Sequence, residues 1–453
     1  MQITLPDKVK RIIRTLQDDG YEAYAVGGCV RDSCLGREPE DWDITTSARP
    51  GEIKALFRRT VDTGIRHGTV TVLYGNEGFE VTTYRIDGDY EDSRHPKEVT
   101  FTKNLKEDLK RRDFTINAMA YSEETGIVDA FGGLADLESG IIRAVGNAQE
   151  RFTEDALRIL RAIRFSAQLG YTIEEETNRA IQELAPSLIH ISAERIRVEL
   201  VKLLLSKHPD RLRIAYETGV TAVILPELDR MFETKQNTPY HCFDVGEHTL
   251  YALQASCLED ARLDAEGKRL LRLSLLFHDI GKPEEHTVDE HGISHFYRHA
   301  RRSEELTIQI MRRLKFDNDT LHKTAKLVKY HDYRPRLTMP RVRRALVEIG
   351  PELMPVLFAV KRADIAAQSD YKRKEKLAYT AEFEQCCEQV LADGDCISIK
   401  TLAVTGKDLI EAGMQPGKEL GDALQNLFLH VLEEPSHNTK EYLLSKINIA
   451  KKP

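Results

Sequence analysis

Residues 25–50 read AVGGCVRDSCLGREPEDWDITTSARP, and the fold turns on them. EAYAV is a strand running into Gly27 and Gly28, and VRDSCLG continues as a short helix. A glycine pair lets the backbone approach a ligand closely, and a helix starting near Val30 offers amide donors to a phosphate. Arg31 adds a fork-shaped cation. Taken alone, such a turn is most often just a turn. Asp41 and Asp43 change the reading. In a strand, residues i and i+2 share a face, so the two carboxylates project side by side. Like charges that close are costly unless a cation lies between them, and hard ions such as Mg²⁺ favour carboxylate oxygen. Glu80, in GFEVTTYR, lies on another predicted strand and completes the cluster. Two Mg²⁺ ions held there suit phosphoryl-group transfer, one activating a hydroxyl and the other steadying the departing pyrophosphate. The blander alternative, three surface acids on unrelated strands, leaves the upstream glycine turn unexplained.

Around this stretch the first 140 residues mix strands and helices. VKRIIRTLQDDG has helical spacing and a glycine stop, and TVTVLYGNEGFEVTTYRI reads as a hairpin around GNEG. From Asn104 onward the pattern turns helical, with NLKEDLKRRDFTINAMAY, TEDALRILRAIRFSAQLG and AERIRVELVKLLLSK all repeating apolar residues every three to four positions. The fold class is therefore α+β at the N-terminus followed by a long all-α body. Breaks are expected near 131–146, 235–244 and the charged YKRKEK at 371–376. With 65 Lys and Arg against 73 Asp and Glu, the 453-residue chain carries a formal charge of −8, which excludes a globally basic nucleic-acid coat but not a local groove. Its 41% hydrophobic and 30% charged residues exclude wholesale disorder. No apolar run reaches the ~20 residues of a membrane span. The seven cysteines form no CxxC pair, as expected of reduced thiols in a soluble, cytoplasmic protein.

GGCVRD, DWDITTSARP, EVTTYRIDGDYEDSRHP, RRDFTINAMAY and TEDALRILRAIRF, in that order, resemble the bacterial (class II) CCA-adding tRNA nucleotidyltransferases, members of the polymerase-β-like superfamily that are also similar to bacterial poly(A) polymerases. The resemblance is dense over residues 1–205, and VTGKDLIEAGMQPGKELGDAL is similar to the family's closing segment. It implies a nucleotidyltransferase head (1–140), a helical neck and body (141–235) and a helical tail (371–453), the helical parts gripping tRNA. It also implies roles. Gly27, Gly28, Arg31 and Asp32 match the triphosphate-binding turn, and Asp41 and Asp43 the metal pair. Asp108, Arg111, Arg112 and Asp113 match DxxRRD, which contacts sugar and phosphates. Glu154, Asp155 and Arg158 match EDxxR, which reads the base, and Arg161 joins the nucleotide-binding set one turn further on.

Base reading has a physical rationale. Asp155 and Arg158 are i and i+3 on a predicted helix and share a face. A carboxylate accepts from an exocyclic amine, and a guanidinium donates to the neighbouring ring nitrogen. Cytosine and adenine offer that pair and uracil and guanine do not, so ATP and CTP are the expected substrates without a template. The ordinary alternative is an intrahelical salt bridge. The segment with Asp92, Arg94 and Pro96 matches a loop associated in the family with the switch from C to A addition, which favours full CCA addition over an A-adding enzyme or poly(A) polymerase.

HCFDVGEHTLYAL, SLLFHDIGK and KRADIAAQS resemble an HD domain, placed at 236–370, with His248, His278, Asp279 and Asp364 matching its H…HD…D ligands and His299 and His331 available to extend it. Mixed His and Asp sets suit transition ions such as nickel, manganese, cobalt or zinc. Related HD domains are similar to phosphohydrolases, so a rival reading makes this site the activity and the head an RNA-binding module. Basic residues between Arg298 and Lys376, among them Arg334, Arg343, Lys372 and Arg373, read mostly as solvated helix faces, with phosphate contact the minority alternative.

Overall fold

Val9, Ile12, Ile13 and Leu16 recur at helical spacing, and in the computed structural model they are the buried stripe of the first helix, Asp7–Asp18. The structure describes residues 2–88 and 99–447; Asp92, Arg94 and Pro96 lie outside them. The helix packs on a strand series: β1 Ala23–Val26, β2 Ile44–Thr46, β3 Thr60–Gly64, β4 Thr69–Tyr74, β5 Glu77–Thr83, β6 Arg85–Asp87, β7 Val99–Phe101, β8 Met119–Ser122 and β9 Gly126–Asp129. Seven of these form one mixed sheet in the order β3-β4-β5-β2-β1-β8-β9, while β6 and β7 pair separately. β4 and β5 make the expected hairpin. β2 runs parallel to β5, with Ile44 beside Val81, a register that carries Asp43 to the level of Glu80. All four residues of β1 are buried.

Two expectations fail here. NLKEDLKRRDFTINAMAY is not one helix: only Leu105–Lys110 is α-helical, and Met119–Ser122 is β8. Its four residues are fully buried against β1, and sheet pairing overrides their helical spacing. Asp41 and Asp43 do not lie within a strand either, because β2 begins at Ile44. They occupy the segment leading into it, and the Asp43 carbonyl still accepts from Val26 N at 3.0 Å.

The chain forms two units, Met1–Asp229 and Arg230–Pro453. In the first, helices Ala148–Glu154, Leu157–Leu169, Glu175–Leu184 and Ala193–Leu204 follow the sheet. In the second, helix Met354–Ala367 is buried along nearly its whole length, as befits a central helix, and packs against Val245–Ala255 and Ala265–Phe277. Helices His299–Arg313 and Asn318–Tyr330 pair beside them. YKRKEK straddles a break between helices: Tyr371 and Lys372 lie in the turn after Met354–Ala367, and Arg373 begins the twenty-residue helix to Ala392, which packs back on it. Among the described residues no helix is long and apolar enough to cross a membrane.

Candidate functional site

Gly27 takes φ 85° and ψ −129°, a conformation open to glycine, and a Cβ there would lie 2.9 Å from the Arg112 guanidinium. The turn thus brings Arg112 against the start of helix Gly28–Cys34. Arg112 is half-buried, and its sealed Nε has no hydrogen-bond partner, so a cationic donor stands ready beside the glycine turn. Burial first of all lowers its pKa, with the carboxylates of Asp108, Asp43 and Asp113 opposing. Arg31, expected at the triphosphate, stands on the same turn. Three of its donors are engaged, two by Asp32 at 2.9 and 2.8 Å and one by Asn117 at 2.7 Å. It lies over the Phe165 ring and braces the turn.

The carboxylates Asp41, Asp43 and Glu80 come together electrostatically. Asp43 keeps an exposed side, yet desolvation, then the charge of Asp41, pushes its carboxyl up to about 6, with Arg112 opposing and Glu80 adding to the rise. A carboxylate whose protonation is favoured by neighbouring acids marks a place for a cation. Their oxygens are looser than a finished coordination set, because the groups whose ligand atoms all lie within 4.8 Å of one another are found, among the described residues, only in the second unit.

DxxRRD divides its labour. Asp108 is fully buried and accepts from Thr45 Oγ1 at 3.0 Å, Arg85 N at 3.3 Å and Arg111 Nε at 2.9 Å. Burial would raise its pKa, but Arg111 and Arg112 outweigh it. Asp113 accepts from Phe114 N, Asn117 Nδ2 and both Arg161 Nε at 2.7 Å and NH2 at 2.6 Å. Against burial, Arg161 and then Arg158 hold its carboxyl down at about 2. Arg161 is therefore tied to Asp113.

Asp155 and Arg158 do not share a helix face. Helix Ala148–Glu154 ends before Asp155, and the next begins at Leu157. Asp155 caps that start, accepting from Leu157 N at 3.0 Å, and its other oxygen takes Arg195 at 2.7 Å. Arg158 donates to Glu154 at 2.6 Å and to the carbonyls of Arg151 and Arg111. A carboxylate capping its own backbone competes with helix continuation, which spacing alone does not register. Sequence reasoning missed Asn117, Phe165 and Arg195, none of which carries a spacing signal; all three are brought in by tertiary packing.

In the second unit His248, His278, Asp279 and Asp364 converge as expected, and His299 and His331 join them. His248 Nε2 lies 2.9 Å from Asp364 and 3.3 Å from His278 Nε2. His299 and His331 face each other at 3.2 Å. Asp279 links the pairs, with Oδ2 3.2 Å from His278 and Oδ1 3.5 and 3.6 Å from His299 and His331. His278, His299 and His331 each set Nδ1 2.7–2.8 Å from a main-chain carbonyl, of Leu275, Phe296 and Val328. That bond fixes the proton on Nδ1 and leaves Nε2 a bare lone pair aimed inward. Facing lone pairs repel unless a cation sits between them. Asp279 Oδ1 is buried with no hydrogen-bond partner, and Asp279 belongs to both groups of clustered ligands, so the donor set fits divalent metal ions. His286, His291 and His295 stand apart from it: His286 bonds Ser294, and His295 bonds Asp289.

Comparison with known proteins follows the same lines. Residues 23–143 match the Poly A polymerase head domain, 170–232 the RNA and SrmB-binding site of polymerase A, and 287–447 the tRNA nucleotidyltransferase domain 2. The CCA-adding enzyme of Levilactobacillus brevis is 36% identical over 443 residues, 97% of each chain. That of Lactiplantibacillus plantarum is 54% identical over 221 residues, so the match spans about half of each chain (49% and 53%). The crystal structure of the Bacillus stearothermophilus CCA-adding enzyme in complex with CTP superimposes with a TM-score of 0.73 and 30% identity, covering 98% of this chain and 97% of that one.

Proposed function

The chain belongs to the family of CCA-adding enzymes, and from that premise we propose that it adds C, C and A to the 3′ end of tRNA from CTP and ATP, releasing pyrophosphate without a template. One observation carries this reading: Asp43, with its carboxyl raised by desolvation and then by Asp41 and Glu80, stands beside an Arg112 whose Nε has no partner at the Gly27 turn. Asp41 and Asp43 would hold divalent ions, Mg²⁺ in our reading, and Glu80 would share that negative field. Bound there, the ions supply Lewis acidity and lower the pKa of the 3′-hydroxyl. The protein's own part is positioning. The Gly27 turn lets the triphosphate lie against main chain, and Arg112 donates to its oxygens. Asp108 holds Arg111 and Arg112 in place, and Asp113 with Arg161 fixes the strand–neck junction behind them.

Base choice belongs to the 154–158 junction. Arg195 orients Asp155, and Glu154 with two carbonyls orients Arg158, so each recognition group is set by its own partner. An incoming C or A edge would exchange with one of those partners. The cysteines are free thiols, as in a reducing compartment, and we place the enzyme in the cytoplasm. Incubating tRNA trimmed of its 3′ end with CTP alone, ATP alone and both, then sequencing products, tests the reading. Addition of two C, of nothing, and of CCA supports it; runs of A from ATP alone would identify a poly(A) polymerase instead.

The second unit supports a second activity. We read His248, His278, Asp279, Asp364, His299 and His331 as an HD-type centre for two transition-metal ions that hydrolyses phosphate esters. The supporting observation is the unpartnered Asp279 oxygen between opposed imidazoles. Lys282, 2.7 Å from Asp279 Oδ2 and bonded to Gln236, holds this carboxylate from one side.

A further inference from the structure

Two cavities meet at this centre. The first, about 470 Å³, has Asp279, His299, His331 and Asp364 in its wall. The second, about 300 Å³, shares His331, Asp364, Tyr240, Arg334 and Lys376 with the first and adds Lys361, Lys372 and Glu375. Its wall thus carries four cations against Glu375 and the metal-ligand Asp364. Lys361 is occupied, donating to the carbonyls of His331 at 2.7 Å and Tyr333 at 2.8 Å, so it holds the loop that bears Arg334. Lys376 is buried and bonded to Gln368, which in turn donates to both oxygens of Asp364.

Arg334 and Lys372 are exposed and face the second cavity; Arg334 pairs with Asp332, itself exposed, at 3.2 Å, a surface contact that an incoming anion can displace. Lys372 sits at φ 54°, a left-handed conformation that strains a residue with a Cβ. Cations crowded in this way, one of them held in a strained backbone, make a place for an anion that the metal-lined cavity alone does not need. At the rim of the first cavity Tyr297 stacks on His295 with 6° between ring planes and is 70% exposed, a free face for a base.

Building on the phosphohydrolase reading, we propose that the centre takes a ribonucleotide with phosphates on both sides of its ribose: one, on the 2′ or 3′ oxygen, at the metal ligands, and the other, on the 5′ oxygen, between Arg334 and Lys372. In the reaction a water oxygen bonds to the first phosphorus as the bond from phosphorus to the ribose oxygen breaks. The water's proton goes to that oxygen, and inorganic phosphate and a ribose hydroxyl leave. The same chemistry occurs in a free nucleoside bisphosphate and at an RNA 3′ end, where the internucleotide link supplies the 5′-phosphate.

The test uses the full chain loaded with manganese and three substrates: adenosine 3′-phosphate, adenosine 3′,5′-bisphosphate and an adenosine dinucleotide ending in a 3′-phosphate. KM for the bisphosphate should lie about ten-fold below that of the monophosphate at similar kcat, the effect of one charge-assisted contact. The dinucleotide matches the bisphosphate if RNA ends are the source and the monophosphate if free nucleotides are. Arg334→Gln with Lys372→Asn should erase the ten-fold difference, and asparagine tolerates the left-handed backbone, so melting temperature should hold or rise. Calorimetric titration of the chelated protein with the bisphosphate should show the same loss of affinity in that variant. Equal KM for mono- and bisphosphate in the wild type overturns the second phosphate site. No phosphate release from any substrate, with two manganese ions bound and the calorimetric difference intact, overturns the hydrolase reading and leaves the anion site standing.

Discussion

Gly27→Ala tests the head at its narrowest point. Two costs are separable. The first is conformational: φ 85° with ψ −129° lies in a region closed to residues with a Cβ, and forcing one there costs about 1–3 kcal/mol. The second is steric: the new methyl would lie 2.9 Å from Arg112 NH1, with the Asn117 carbonyl at a comfortable 3.8 Å, so the burden falls on the arginine. Arg112 ends on a flexible arm and can yield, but it then leaves the triphosphate position. Stability should drop by about 2 kcal/mol, and the apparent affinity for CTP and ATP should fall about ten-fold for both, because the loss is at the phosphates and not at the base. Urea unfolding of the first unit and nucleotide titration measure the two separately. A double-mutant cycle with Arg112→Ala sharpens the test: once the arm is gone the clash term vanishes while the backbone term remains, so Gly27→Ala should cost less in stability in that background. Additive stability losses, or an unaltered CTP affinity in the single variant, would refute the reasoning.

Asp43→Ala should abolish nucleotide addition while gel-shift binding of tRNA survives; addition near the normal rate in a folded variant would count against the metal assignment. Arg158→Ala should lower the preference for CTP over UTP roughly ten- to a hundred-fold, and Arg195→Met should do the same through a freed Asp155, read as the ratio of kcat/KM values; equal loss for all four nucleotides makes both residues structural. His278→Ala should remove bound transition metal, measured by elemental analysis, and any phosphate-ester hydrolysis, yet leave CCA addition intact. Asp113, held at about 2 against 3.8 when unfolded, contributes stability that is present above the unfolded value and lost as pH falls through about 2. The stability gap between wild type and Arg161→Met should therefore be flat from pH 7 to 5 and shrink below pH 4, as urea titrations at each pH would show.

Much of this was legible because chemistry and spacing coincide. Gly27, Gly28, Asp41 and Asp43 lie within one strand–helix–strand passage, so local order carried them to one place even though the carboxylates precede β2 instead of lying within it. The convergence of His248, His278, Asp279 and Asp364 was legible through their match to the H…HD…D pattern, helped by an adjacent His-Asp opening a glycine-containing turn. The 154–158 cluster of acids and arginine was visible in the sequence, but its geometry was not, since a helical period gives no warning that Asp155 spends an oxygen capping Leu157. β8 was lost for a related reason: MAYS has no alternation to see because both its faces are covered. Arg195 and Asn117 meet their partners only through packing, and nothing in the charged run at 371–376 shows Lys376 buried beneath Tyr240.

The carbonyls that fix His278, His299 and His331 each belong to the residue three positions earlier in the same chain segment. Orientation of these rings is thus written in backbone, at two helix ends and one helix start, and not in an outer layer of side chains. Substitutions at neighbouring positions cannot remove a carbonyl. The histidines should stay correctly tautomerised through extensive sequence drift around them, and the centre should be lost by insertion or deletion near those helix ends far more readily than by point substitution. Such a site can outlast a change of substrate, because its walls are free to vary while its ligands stay set.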